Sequence, residues 1–176
     1  AKVPATFFLA GKWMQRYPEE TRRIAGNPLF EVGSHSYAHR AFHMPCYGLG
    51  GLPVSAMAAD VARAQALLRH FTPHPTNYFR FPGGCYDRTA LRAIAPTHVQ
   101  VIQYDVASGD AFGTSVRSIV SHTLSQTRAG SIVVMHITGG NTSPLTALAL
   151  PAIVAGLRAH GLRLVRLSTL LATGTG

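Results

Sequence analysis

Short apolar runs and longer stretches of helical periodicity alternate along almost the whole chain. Val3–Leu9 (VPATFFL) and Phe30–Ser34 predict strands, with Trp13–Ala25 predicting a helix between them that Gly26-Asn27-Pro28 closes. A Gly- and Pro-rich loop then runs through Cys46 to Pro53. Met57, Val61, Ala64, Leu68 and Phe71 recur at spacings of four, three, four and three, one face of a helix for which Ser55 is the predicted N-cap. Tyr78–Phe81 predicts a strand, Asp87–Ala95 a short helix with Asp87 as its cap, Val99–Val106 a strand and Val116–Gln126 a helix. Ser131–His136 (SIVVMH) is continuously apolar up to its last residue, the pattern of a strand covered on both faces. A helix that starts or kinks at Pro151 leads to His160, Gly161 suits its C-cap, and Leu162–Val165 reads as a last strand.

Strict β/α alternation predicts a parallel sheet with helical crossovers, closed into a barrel or open and doubly wound. No strand is followed by G-x-G-x-x-G or G-x-x-x-x-G-K-[ST], which argues against nucleotide binding. There is no repeat of fixed period and no low-complexity linker, so 1–176 reads as one domain.

Composition narrows the function. With 176 residues, 47% of them hydrophobic and 13% charged, the chain can bury a core. No apolar run approaches the ~18–20 residues of a membrane span. Sixteen Lys and Arg face seven carboxylates, giving +9. The basic residues are scattered and carry no nucleic-acid-binding signature, so we expect no specific nucleic-acid partner. A diffuse cationic surface suits an anionic wall polymer or acidic glycan by long-range attraction.

The residues best suited to chemistry stand at predicted strand ends. His35 follows the Phe30 strand, Arg80 lies at the end of the Tyr78 strand, Asp105 and Asp110 follow the Val99 strand, and His136 closes the Ser131 strand. In β/α folds the C-terminal edge of the sheet carries the site. His35 and His39 are four apart and, on a helical turn, would share one face and could share a metal; both could equally be surface or capping histidines. Arg80-Phe81-Pro82-Gly83-Gly84 offers a tight turn whose backbone N–H groups can approach an oxyanion, or an ordinary Pro-Gly turn. His136, leaving an apolar strand, needs a hydrogen-bond partner.

In order and spacing these segments resemble the polysaccharide deacetylases, the NodB-homology family of carbohydrate esterases (family 4). Ala5-Thr6-Phe7-Phe8-Leu9, His35–His39 in the form H-[ST]-x-x-H, Arg80–Gly84 as the R-x-P motif and Val134-Met135-His136 as the L-x-H motif carry the resemblance, from Pro4 to Leu171. It implies a distorted, incomplete parallel (β/α) barrel lacking its first strand and helix. It implies metal-dependent hydrolysis of N-acetyl or O-acetyl groups on a polysaccharide or oligosaccharide such as chitin, peptidoglycan or acetylxylan. His35 and His39 would be ligands to a divalent metal, zinc in the first place and cobalt or nickel otherwise. Ser36 would brace their loop and Arg80 would orient a catalytic carboxylate. Gly83 N–H would hold the oxyanion, Phe81 and Val134 would line the substrate pocket, and His136 would be the general acid.

The departures are specific. The family opens with an Asp-Asp pair that supplies a base and a third metal ligand, and no Asp-Asp occurs in this chain. We expect that pair upstream in a longer protein, with two-ligand, weak metal binding and little activity for 1–176 alone. A non-catalytic, wall-binding pseudoenzyme is the alternative. Gly83 stands where the family usually has an aromatic, which would open one wall of the sugar site. Of the D-x-x-D-W motif only Asp110 remains, the expected partner on the His136 side. An amidohydrolase is a poorer match, because those enzymes favour His-x-His on a strand. Cys46 and Cys85 could pair or stay as thiols; export to the cell exterior or wall is expected from the resemblance, and the oligomeric state is not legible.

Overall fold

The computed structural model describes residues 2–113, 115–137 and 144–173. The chain forms two compact units, 6–103, and 104–176 together with 1–5. Both are built from parallel strands and helical connections.

The first unit carries a four-stranded sheet in the order β1 (Ala5–Leu9), β2 (Phe30–Ser34), β3 (Tyr78–Phe79) and β4 (Gln100–Val101). β2 pairs parallel to β3, with Ser34 opposite Phe79, and β3 pairs parallel to β4. The helix expected over Trp13–Ala25 is two helices, α1 (Gly11–Arg16) and α2 (Pro18–Ala25). Pro18 cannot donate to the preceding turn and is accepted only at a first helical turn, so the chain restarts there. α3 (Val54–Leu68) begins after Pro53 with no side-chain cap, so the Ser55 cap is not observed. Its predicted apolar stripe holds: Met57, Val61, Ala64 and Leu68 are buried. Met57 and Val61 meet Phe42, Phe79, Phe81, Ala90 and Ile94 in one cluster, while Leu68 joins Leu9, Met14 and Val32 in another. α4 (Arg88–Ile94) is capped by Asp87, which accepts from Ala90 N at 2.8 Å, as expected.

In the second unit β5 (Val106–Ala107) pairs parallel with β6 (Val133–Val134). The strand expected over Val99–Val106 is thus two strands in two sheets, because the polar Gln103-Tyr104-Asp105 interrupts the apolar run. The strand expected over Ser131–His136 is two residues long and half-exposed. It pairs with β5 alone in a two-stranded sheet, so the regular pairing is shorter than the apolar run. α5 (Val116–Gln126) has its predicted bounds and a Ser115 cap. α6 (Pro144–Ala159) passes through Pro151, earlier than the predicted start, and Gly161 follows at φ +76°. No strand forms over Leu162–Val165; the chain passes without regular structure into α7 (Leu167–Thr173). Ile119, Ala149, Ile153 and Leu157 pack α5 on α6. Among the described residues no helix is long and apolar enough to cross a membrane.

Candidate active site

The chemically equipped residues form two clusters, one in each unit. In the first unit the parallel order of β2 and β3 brings His35 and Arg80 to the same sheet edge. His35 Nδ1 lies 2.8 Å from the carbonyl oxygen of Arg80. A carbonyl only accepts, so Nδ1 carries a proton and, in the neutral ring, the lone pair sits on Nε2. His39 stands beside it, with ring centroids 4.9 Å apart in an edge-to-face arrangement.

The expected helical turn is not what joins them. Residues 35–39 form a loop in which Ser36 (φ +65°) and His39 (φ +53°) take left-handed backbone conformations. The pair meets through that turn. Ser36 Oγ accepts from His39 N at 3.0 Å, the bracing contact expected of it. The loop carbonyls are met from α1, where Gly11 N donates to Ser36 O and Lys12 N to Tyr37 O. Its next two amides meet a residue the sequence does not mark. Tyr37 N and Ala38 N donate to the two oxygens of Asp60 at 2.7 and 3.0 Å. Read from its helix, Asp60 is a solvated surface acid.

Arg80 is buried. Its Nε donates to Ile102 O at 3.2 Å and Nη2 to Gln103 O at 3.4 Å, and the guanidinium carbon lies 4.2 Å from the Phe8 ring centroid. Phe81, expected to line a substrate pocket, is instead fully buried: it packs edge-to-face on Phe42 and Phe79 and stacks on Tyr86. The backbone stays extended at Phe81 beyond the end of β3, which puts its ring two residues on from Phe79 and in the same buried cluster.

Pro82–Gly84 is a tight 3₁₀ turn with Gly83 at φ +64°. The early N–H groups of such a turn have no partner within it, so Gly83 N–H is a suitable oxyanion donor. Cys46 and Cys85 are joined by a disulfide with a Cα–Cα separation of 6.0 Å. It explains the glycine: a Cβ on residue 83 would lie 2.5 Å from Cys46 Sγ and 3.3 Å from Tyr47 Cδ2. The glycine therefore does not open a wall. The disulfide and the exposed Tyr47 occupy the place beside it.

In the second unit Asp110 follows β5 and His136 follows β6, at the same edge of their parallel pair. Asp110 is 1% exposed and accepts from His136 Nδ1 at 2.8 Å on Oδ1, and from His136 N at 2.7 Å and Thr146 Oγ1 at 2.6 Å on Oδ2. Burial pushes the Asp110 carboxyl up, but the hydrogen bonds from the His136 ring, the Thr146 hydroxyl and the His136 amide, with the attraction of His136, outweigh it and hold the group at about 2. The surviving acid of its motif is thus the partner of His136, with Thr146 as an unanticipated third member. Val134 is half-buried in β6, and its carbonyl accepts from Ser108 N. Asp105 is not a site-edge acid. It precedes β5 and binds Ser131 Oγ and Ile132 N, so it ties the start of one strand to the other.

The imidazole pair suits a divalent ion of the zinc, cobalt or nickel type, and a carbonyl partner on Nδ1 is the usual outer contact of a metal-binding histidine. Among the described residues no group of three His, Cys, Asp or Glu side chains comes together. The described donors are therefore one short of the three protein ligands usual in catalytic zinc sites.

The family model described as polysaccharide deacetylase matches residues 1–102. A peptidoglycan-N-acetylglucosamine deacetylase of Bacillus cereus is 25% identical over 171 residues, covering 97% of this chain and 59% of the relative. A chitooligosaccharide deacetylase of a Bradyrhizobium species is 29% identical over 137 residues, covering 77% of this chain and 58% of the relative. The chain thus spans under two thirds of the length of either. Among solved structures, a carbohydrate esterase family 4 pseudoenzyme from Bacillus anthracis superposes with a TM-score of 0.82 at 21% identity, over 96% of this chain and 56% of that one. The likeness extends the shared fold beyond residue 102, into the second unit.

Proposed function

The chain belongs to the polysaccharide deacetylase family, whose model matches 102 of its 176 residues, and from that premise we propose that it hydrolyses acetyl groups, N-linked first and O-linked otherwise, on a cell-wall or chitin-type glycan and releases acetate. The observation that carries the reading is the Asp110–His136 pair. A buried carboxylate, ionised at neutral pH, holds the proton of an imidazole on Nδ1 and so presents Nε2 as the atom that would hand a proton to the leaving amine. The Gly83 N–H would receive the negative charge developing on the acetyl oxygen. Arg80 acts through its carbonyl, which fixes the ring of His35. His35 and His39 would hold the divalent ion, zinc before cobalt or nickel, which when bound would supply polarisation of the carbonyl and activation of water.

The substrate class follows from charge and kinship. A +9 chain is drawn to anionic wall polymer, and a curated relative acts on peptidoglycan N-acetylglucosamine, so peptidoglycan stands ahead of chitooligosaccharide and acetylxylan. The Cys46–Cys85 disulfide supports work outside the cytoplasm. Acetate release from peptidoglycan and from chitooligosaccharide, with and without added zinc, tests the reading. For 1–176 alone little release is expected. Release that rises when a family-type Asp-Asp strand is supplied ahead of residue 1, and that His136→Ala removes, is the expected result, and none from either glycan with that strand supplied would overturn the reading.

A second reading is favoured by one observation: the described residues bring together two metal-type donors where a catalytic site needs three. A non-catalytic, glycan-binding member of the family would bind the same polymers, insensitive to chelator, and release nothing.

A further inference from the structure

We infer that Asp60 is the positioning residue of the histidine pair: from α3 it fixes the loop whose conformation sets His35 and His39 side by side. The inference rests on the metal role proposed for that pair and adds a residue no motif of the chain marks.

The loop cannot hold this shape by local preference. Two of its five residues, Ser36 and His39, are non-glycine residues at positive φ, which persists only where surroundings over-determine it. Its backbone groups are held from two sides. The carbonyls of Ser36 and Tyr37 accept from the first amides of α1 at 2.9 Å each. The amides of Tyr37 and Ala38, midway between the two histidines, both donate to Asp60, one to each oxygen. Tyr37 adds side-chain anchors: its hydroxyl donates to Gln15 at 2.7 Å and its ring lies 3.6 Å from the Arg63 guanidinium carbon. A Cβ on residue 11 would stand 2.3 Å from the Tyr37 ring, so Gly11 permits this approach. Of these holds, only Asp60 accepts two consecutive loop amides at once. A carboxylate offers one oxygen to each amide, whereas an amide placed the same way would turn its own NH₂ toward one of the donors.

Asp60 is not needed to place its helix. α3 is anchored by Met57, Val61, Ala64 and Leu68, all buried and remote in role from the carboxylate. Removing the carboxylate should therefore free the loop and leave the fold.

The test compares the intact chain with Asp60→Ala and Asp60→Asn, each checked for its fold by circular dichroism and thermal midpoint. Nitrogen-15 spectra of the imidazoles report the His35 tautomer, and calorimetry with zinc alone reports affinity. In the wild type we expect the Nδ1–H form of His35. In the variants we expect a mixture of tautomers, with zinc affinity lower by about 10–100-fold, the range for outer-shell partners of metal ligands. Folded variants with unchanged His35 spectra and, where zinc binds, unchanged affinity would overturn the inference. So would variants that both fail to fold, since Asp60 would then be a fold residue. A wild type that binds no zinc would sink the metal role proposed for the pair instead; the imidazole spectra would still decide the role of Asp60.

Discussion

His136 gives Asp110 both its backbone amide and its ring Nδ1, at 2.7 and 2.8 Å, so one carboxylate fixes the position and the tautomer of one imidazole. The consequence is kinetic. In a protein completed with the Asp-Asp strand, His136→Ala should lower the rate of acetate release by about 10²–10⁴, the usual contribution of a general acid, with bound zinc unchanged because the donors proposed for the metal are His35 and His39. Asp110→Ala should lower kcat with little change in KM, since it disturbs the proton donor and not the glycan contacts. Steady-state acetate assays with metal analysis check both, and unchanged turnover in His136→Ala would remove the role.

The same carboxylate makes stability depend on acid. Its folded value of about 2 lies below the ordinary 3.8. A depressed value stabilises the fold above the unfolded pKa and the benefit is lost as pH falls through the folded one. The loss should fall between about pH 4 and pH 2 and amount to roughly 2 kcal/mol. Urea midpoints measured from pH 7 to pH 2 should show it in the wild type and show less of it in Asp110→Asn. Asp87 and Asp105, also held below the ordinary carboxylate range, should leave a residual slope: Asp87 chiefly through the Ala90 amide, Asp105 through Ile132 N–H and Ser131 against burial. Thr146→Val removes one donor to Asp110 and should move the acid limb toward higher pH.

What the sequence discloses is whatever is written locally. Phe30–Ser34 and Val116–Gln126 appear with their predicted bounds because each is a coherent run between clear stop signals. His35, Arg80, Asp110 and His136 lie at strand ends as expected, because βα order alone decides that. The partners of these residues are tertiary. Asp60 reaches the histidine loop across 22 and 23 residues and Thr146 reaches Asp110 across 36, and nothing in either local sequence distinguishes them from surface polar residues. Phe81 and Asp105 mislead for the complementary reason: proximity to a motif says nothing about which way a side chain turns.

Arg80 should prove a structural residue whatever its part in the proposed reaction. Its guanidinium serves two carbonyls and covers an aromatic face while buried. Lysine cannot reproduce the fork or the stacking. We expect Arg80→Lys to cost about 2–3 kcal/mol, the scale of charge-assisted hydrogen bonds lost in a buried place. Urea denaturation measures it, and a change under about 0.5 kcal/mol, the scale of ordinary surface substitutions, would show that those contacts carry no weight.

Gly83 and the Cys46–Cys85 disulfide should be energetically coupled. The bond closes a loop across a sequence separation of 39, for which the chain-entropy model gives about 4 kcal/mol. It also puts Cys46 Sγ 2.5 Å from where a Cβ on residue 83 would be, a contact that cannot persist without a shift. Gly83→Ala should therefore be costly for two separable reasons, the steric overlap and the left-handed backbone at φ +64°. Replacing both cysteines by alanine removes the sulfur and leaves the backbone term, about 1–2 kcal/mol for a side chain forced into that region. A double-mutant cycle on thermal or urea stability should then show Gly83→Ala costing at least about 1 kcal/mol less in the Cys46→Ala/Cys85→Ala background than in the wild type, within the range for residues in contact. Additive costs would mean that the turn relaxes away from the sulfur and that its glycine answers to backbone conformation alone.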